Sequence, residues 1–289
     1  MRNPIQHIET FKVRYYECDA FGRLNNAVYL RFMQEAGIEA SNALGFDAEK
    51  YKSLNRTWLP RMTEIEFLQP IRSGDSIDVL TWVHSARRVQ SRRMYEFRKW
   101  GEEELCARAH TDWVFIDRNK GISVTIPVEL MKNFLPEATS ITRQRFPEVP
   151  ASPQDIFKVK RPVEWRDVDP MQHLNNAAYV DYAQECTAQV SKAYGLPPRK
   201  WIEMNLTFIA RRTLIEYLIP AELDAELELS TWLFDLEASS ISSYYNFQNA
   251  GTGELLGRMI TVWMLIDLET WSATRIPTPI VEALSPNIA

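Results

Sequence analysis

Asp19-Ala20-Phe21-Gly22-Arg23-Leu24-Asn25-Asn26-Ala27-Val28-Tyr29 returns 150 residues later as Asp169-Pro170-Met171-Gln172-His173-Leu174-Asn175-Asn176-Ala177-Ala178-Tyr179, with six of the eleven positions identical. The same offset, without a gap, pairs Gly45 with Gly195, Glu66 with Glu216, Pro70 with Pro220, Trp82 with Trp232, Arg108 with Arg258, Trp113 with Trp263 and Asp117 with Asp267. The chain reads as a tandem duplication. A repeat of this length far exceeds the roughly 20–50 residues of a solenoid or propeller unit, so each copy is expected to be a whole domain with its own core. Between the copies stand Pro136, Pro147, Pro150 and Pro153, which sustain neither a ladder nor a helix. The expected organisation is a domain over 1–136, a linker over 137–157 and a second domain over 158–289.

Outward from the repeated cluster the pattern is the same in both copies. Ala27 to Leu44, and Ala177 to Tyr194, are good helix formers with apolar residues around most of the circumference, each run closed by a glycine, Gly45 or Gly195. That predicts one largely buried helix of about five turns, entered at Asn25-Asn26 or Asn175-Asn176. A short strand precedes each cluster, over Thr10–Tyr16 and Lys160–Trp165. After each helix the period changes to that of strands: 64–67, 76–83, 91–100 and 106–117, then 214–218, 226–234, 242–248 and 255–267. The fold class is therefore α+β, an antiparallel sheet wrapped around one central helix in each copy.

Composition excludes several classes of function. The 289 residues are 45% apolar and 25% charged, and no apolar run approaches the roughly 18 residues of a membrane span. No membrane association and a cytoplasmic location are expected, since the opening residues are too polar for a secretory signal. The net charge of −5 and the lack of a reader motif argue against nucleic acid. Charge is unevenly shared: residues 1–150 hold 22 Lys+Arg against 20 Asp+Glu, about +2, which leaves about −7 for the rest. Cys18, Cys106 and Cys186 form neither an even framework nor a metal spacing, so reduced, mostly buried thiols and no metal or other cofactor are expected. No G-x-S-x-G elbow, Walker loop or G-x-G-x-x-G is present.

The cluster and the order of elements resemble the hotdog-fold thioesterases, which share an Asp, a short loop and Asn-Asn-x-x-Tyr entering the central helix. Here these are Asp19 to Tyr29 and Asp169 to Tyr179. The second copy, Asp169-x-x-Gln172-His173-x-Asn175-Asn176-x-x-Tyr179, is most similar to the acyl-carrier-protein thioesterases, in which two hotdog units share one chain; the 4-hydroxybenzoyl-CoA thioesterases are a related group. The resemblance implies two tandem hotdog domains and hydrolysis of an acyl thioester carried by acyl-carrier protein or coenzyme A. Two departures stand out: the plant enzymes have Asn two residues after the Asp, where this chain has Met171 and Phe21, and their further acid falls near Pro220, with Glu216 and Glu222 close by.

A carboxylate on the loop before a helix, with backbone N–H groups at the helix entrance, offers a base and an oxyanion site in one segment. Asp169 is read as general base on water or as direct nucleophile, His173 as the group that positions it, and the amides around Asn175, Asn176 and Ala177 as donors to the thioester oxygen. Asp19 with Asn25 and Asn26 repeats this, but Arg23 stands where His173 does and is no base at neutral pH, so the second site is favoured. The competing reading is that Asp and Asn merely build a capped turn.

Glu35 and Glu185, inside the apolar helix, are expected to be buried and to need a partner. Arg87, Arg88, Arg92 and Arg93 suit the phosphates of the carrier group or an acidic carrier protein. A further homodimer is compatible with the duplication. The runner-up to the hydrolase is a hotdog protein that binds acyl thioesters without turning them over; a dehydratase or isomerase is a weaker third.

Overall fold

The computed structural model describes residues 5–134, 144–154 and 156–289. They fall into two compact units, Met1–Arg145 and Phe146–Ala289. Unit one runs β1 (Gln6–Lys12), α1 (Asn26–Asn42), α2 (Ala48–Ser53), β2 (Arg56–Phe67), β3 (Ser76–Arg87), β4 (Gln90–Lys99), β5 (Leu105–Asp117) and α3 (Val128–Phe134). Unit two repeats the order with β6 (Lys158–Pro162), α4 (Ala178–Ala193), α5 (Pro198–Glu203), β7 (Leu206–Tyr217), β8 (Glu226–Phe234), β9 (Ser240–Asn249), β10 (Leu255–Asp267) and α6 (Thr278–Leu284). Every pairing within a unit is antiparallel, in the order β1–β3–β4–β5–β2 and, correspondingly, β6–β8–β9–β10–β7.

The helix closes as its sequence directs. Gly45 and Gly195 take φ of 79° and 77°, the left-handed conformation in which a Cβ is costly, and the Phe46 and Leu196 amides reach back to Ser41 and Ser191 carbonyls at 3.0 and 2.9 Å. α1 buries Ala27, Val28, Tyr29, Leu30, Phe32, Met33, Ala36 and Ala40 and packs on β1, whose residues alternate between exposed and half-buried, and on β3, most of whose residues alternate between half-buried and core. A second apolar cluster in unit one joins Val83, Phe115, Ile126, Leu130 and Phe134; its counterpart joins Ile241, Leu265, Ile276, Ile280 and Leu284.

Several expectations need correction. β2 starts at Arg56 and β7 at Leu206, eight residues before the predicted strands. Pro60 hid this extension: a proline reads as a breaker, but here it lies at a β-bulge where the register against β5 shifts, a place that tolerates a missing amide donor. The strands before the clusters end at Lys12 and Pro162 and give way to short 3-10 turns, Tyr15–Glu17 and Trp165–Asp167. Glu35 and Glu185 are exposed, not buried; their stretch of helix turns outward, and Glu185 accepts from Gln189 at 3.2 Å. Cys106 and Cys186 are buried and Cys18 half-buried.

Of the expected linker, 137–143 and 155 lie outside the described residues. Gln144 is fixed to unit one, bridging His110 Nε2 (2.9 Å) and Glu64 Oε2 (2.6 Å). Phe146 and Pro150 are fixed to unit two: the Arg258 guanidinium lies 4.3 Å over the Phe146 ring, and Trp232 Nε1 donates to the Pro150 carbonyl at 3.1 Å.

Candidate active site

Both clusters form one kind of turn. Asp19 N donates to the Arg23 carbonyl at 2.7 Å, and Asp169 N to the His173 carbonyl at 2.9 Å. Gly22 (φ 72°) and Gln172 (φ 65°) occupy the same left-handed position. Glycine takes that conformation freely; a glutamine there carries roughly 1–2 kcal/mol of strain, which the surrounding hydrogen bonds hold in place. Asn25 Oδ1 then accepts from Ala27 N at 3.0 Å and caps α1, while Asn175 Oδ1 makes the same bond to Ala177 N at 2.9 Å just ahead of α4, whose own N-cap position is Ala177. Asn175→Ala removes that acceptor and is expected to cost about 1 kcal/mol of unfolding free energy, measured as a shift in urea midpoint at constant slope.

The two carboxylates differ in what surrounds them. Asp19 is fully engaged: Oδ1 accepts from Phe21 N (2.9 Å) and Arg23 N (3.0 Å), and Oδ2 accepts from Arg23 Nε (3.1 Å) and an Arg23 terminal nitrogen (2.8 Å). This bidentate clamp holds the carboxylate as an ion pair within its own turn. Asp169 is half-buried and accepts from Met171 N at 2.8 Å; no cation pairs with it among the described residues. The exchange of Arg23 for His173 makes the difference. The first cluster is thus a closed turn, and the second presents a carboxylate oxygen free of such a clamp.

The helix entrance is less open than the sequence implied. Asn175 N donates to the Asp167 carbonyl (2.8 Å) and Ala177 N to Asn175 Oδ1, which leaves the Asn176 N–H as the uncommitted amide of the three among the described residues. Asn176 is in turn held by its carbonyl, which accepts from Tyr217 Oη at 3.1 Å. The motif tyrosines are core residues: Tyr179 meets Tyr217 and Phe247 edge-on at 5.4 and 5.1 Å, and Tyr29 meets Phe67 edge-on at 5.1 Å. Burial pushes both phenols well above their ordinary range, so neither is a base.

Of the downstream acids, Glu216 is 7% exposed and tied to Arg258 at 2.7 Å, so its carboxylate is spent. Glu222 is exposed and lies on the segment paired antiparallel with His173, which makes it the acid nearest the cluster in the sheet sense. Sequence reasoning also missed Tyr182 and Asp167. Tyr182 Oη donates to Asp167 Oδ2 at 2.9 Å and accepts from Glu164 N at 3.1 Å, while the Arg161 guanidinium stacks 3.4 Å over its ring. Burial, with the Asp167 carboxylate adjacent, pushes Tyr182 up to about 12, so it stays a donor. The segment whose carbonyl receives Asn175 N is thereby roped to α4. At the positions matching Tyr182 and Arg161 unit one has Phe32 and Phe11, stacked at 4.4 Å, and the 150-residue offset already exposes that substitution.

The arginines expected to act as one patch are divided by the structure. Arg87 and Arg88 are exposed at the β3–β4 turn. Arg92 grips Asp112 through two bonds of 2.6 and 2.7 Å. Arg93 points inward and is 8% exposed, because strand alternation sends neighbours 92 and 93 to opposite faces. Among the described residues no helix is long and apolar enough to cross a membrane and no group of three His, Cys, Asp or Glu could hold a metal ion.

Residues 4–134 match the acyl-ACP thioesterase N-terminal domain, and residues 163–284 match the thioesterase-like superfamily. The chain is 23% identical over 197 residues to the chloroplastic oleoyl-acyl carrier protein thioesterase of Coriandrum sativum, an alignment covering 63% of this chain and 53% of that protein. It is also 23% identical over 201 residues to oleoyl-acyl carrier protein thioesterase 1 of Arabidopsis thaliana, covering 64% and 56%. The chain thus spans about half the length of these curated relatives. Among solved structures, the 12:0-ACP thioesterase of Umbellularia californica shares the fold with a TM-score of 0.69 at 19% identity, over 90% of this chain and 94% of that one. A structure from Lactobacillus plantarum described as an oleoyl thioesterase has a TM-score of 0.79 at 18% identity, over 91% and 97%. Each half thus matches a thioesterase family model, the first half that of the acyl-ACP thioesterase N-terminal domain, and the chain shares the fold of those solved structures.

Proposed function

We propose that the protein is an acyl thioester hydrolase built as two tandem hotdog domains, which releases a free acid from acyl-carrier protein, with acyl-CoA as the alternative carrier. The observation that carries this is the unclamped Asp169 carboxylate on the turn that enters α4, in the same short segment as the uncommitted Asn176 N–H. Asp169 takes a proton from water, the hydroxyl oxygen adds to the thioester carbonyl, the amide stabilises the oxyanion, and collapse breaks the C–S bond. The proton then passes to the leaving thiolate. Direct attack by the carboxylate gives a mixed anhydride, which water opens to the same acid. His173, one strand pairing from Glu222, orients the water or the carboxylate in this scheme. The curated relatives named above are acyl-carrier-protein thioesterases, which favours that carrier.

A second reading is favoured by two specific residues: Met171 replaces the asparagine of the resembling family, and Glu216 is committed to Arg258. On that reading the protein binds acyl thioesters without hydrolysing them, as a sensor or scaffold. Thiol release measured over acyl-carrier and acyl-CoA substrates of graded chain length separates the two. Turnover that peaks within the panel supports the hydrolase; no turnover at any length, with saturable binding, supports the binder.

Carrier docking is assigned to the exposed Arg87 and Arg88. Changing both to serine is expected to raise KM for the acyl-carrier substrate about three- to tenfold, with kcat little changed and the difference shrinking at high salt, as for any exposed charge contact. An unchanged KM removes this assignment.

A further inference from the structure

Arg93 is the one member of the arginine run that turns into unit one, and its surroundings are unusual. At 8% exposure it makes no ion pair among the described residues. Its hydrogen bond is a long one, 3.4 Å to Thr81 Oγ1, and its guanidinium lies 5.6 Å from the centre of the Phe134 ring. Burial pulls its pKa down, but a guanidinium does not deprotonate within a protein, so a cation sits in the core with no counter-charge among the described residues. Beside it, Tyr95 Oη is buried in a residue 1% exposed; Trp113 and Thr111 are its polar neighbours, but among the described residues it makes no hydrogen bond of ordinary geometry.

Unit two resolves the same location differently. Ser243 stands at the position of Arg93 and Thr187 at that of Gly37, and Thr187 Oγ1 bonds to Tyr245 Oη, the equivalent of Tyr95, at 2.7 Å. In unit one, Gly37 brings no side chain. A Cβ there would lie 3.5 Å from Tyr95 Oη and 3.7 Å from Arg93 Cδ, so the remaining atoms of a threonine would contend for the guanidinium's place. The two exchanges, Thr to Gly and Ser to Arg, are coupled: one side chain withdraws and a cation with unused donors enters.

We propose that Arg93, Tyr95 and Thr81 form a receptor for a carboxylate borne on an apolar tail, the chemistry of the acid that the hydrolase reading releases. The guanidinium fork and the phenol hydroxyl match the two oxygens of a carboxylate. Phe134, Phe46 and Tyr51, whose rings adjoin one another at about 6 Å, supply an apolar wall beside the cation. Its residues all belong to unit one, whereas Asp169 belongs to unit two. Identifying the ligand as the product rests on the hydrolase reading; the carboxylate chemistry does not.

Binding, not turnover, tests it. Decanoate, acetate and decanol are titrated into the full chain, followed by tryptophan fluorescence and thermal unfolding. Three proteins are compared: wild type, the double variant Arg93→Ser/Gly37→Thr that copies unit two, and Tyr95→Phe, which removes only the hydroxyl. Wild type is expected to bind decanoate saturably and at least about tenfold more tightly than decanol, with the double variant at least about tenfold weaker and Tyr95→Phe between them. Acetate binding as tight as decanoate keeps the carboxylate receptor but assigns a small free acid as its occupant. No carboxylate binding by wild type, equal binding of decanol, or equal decanoate binding by the folded double variant overturns the proposal. Absent turnover on acyl thioesters would overturn the hydrolase reading and leave this result standing.

Discussion

Tyr179→Ala is expected to destabilise the protein by about 3–5 kcal/mol, the range for deleting a large aromatic ring from a core. Tyr179 is 3% exposed and fits edge-on between Tyr217 and Phe247. Its ring also lies where a side chain on Gly257 would go: a Cβ there would meet Tyr179 Cε1 at 3.2 Å and the Glu216 carbonyl at 3.2 Å, so the tyrosine is wedged against bare backbone. Removing it opens a cavity at the first turn of α4, just below the candidate site, and frees Tyr217, whose hydroxyl holds the Asn176 carbonyl. The loss should therefore appear twice, as a lower urea midpoint and as weaker turnover under conditions where the variant is still folded. Tyr29→Ala, with Phe67 and Phe97 as neighbours, should match the stability loss in unit one with a smaller effect on turnover. If Tyr179→Ala unfolded at the wild-type midpoint, the motif tyrosine would not be a core anchor.

The duplicated cluster carried most of what was legible. Its Asn-Asn pair and terminal glycines bounded the helix because caps and left-handed turns are local requirements, and the alternating residues of β3 and β4 marked a one-sided sheet because side-chain direction has a period of two. Local signals failed where tertiary context decides. Pro60 reads as a breaker until a bulge receives it. Glu35 and Glu185 read as buried because the helix is apolar around most of its circumference, yet the rotation of α1 and α4 turns them to solvent. The arginine run reads as a surface patch until strand alternation sends Arg93 inward. At the site, the exchange of Arg23 for His173 was visible in sequence, but only coordinates show that Arg23 occupies both oxygens of Asp19. The Tyr182–Asp167 bond spans fifteen residues and two elements, so no spacing rule announces it.

The same contrast sets the larger kinetic expectation. Asp169→Asn preserves shape and removes the charge that draws a proton from water, so thiol release should fall by roughly 10²–10⁴-fold, the usual share of a positioned general base. That corresponds to about 3–5 kcal/mol of transition-state stabilisation. The fall should be in kcat, with KM close to wild type, because the carboxylate works on the reacting atoms rather than on carrier binding. Asp19→Asn meets a different environment: it weakens a turn already satisfied by Arg23 and should leave turnover within about threefold, with a stability cost near the 1 kcal/mol of a lost cap. The decisive measurement is kcat/KM for thiol release from one acyl-carrier substrate by wild type, Asp169→Asn and Asp19→Asn, each shown folded by its urea midpoint. An Asp169→Asn loss at least about tenfold greater than the Asp19→Asn loss is predicted from the free and clamped carboxylates; equal losses, or full turnover by Asp169→Asn, would contradict it.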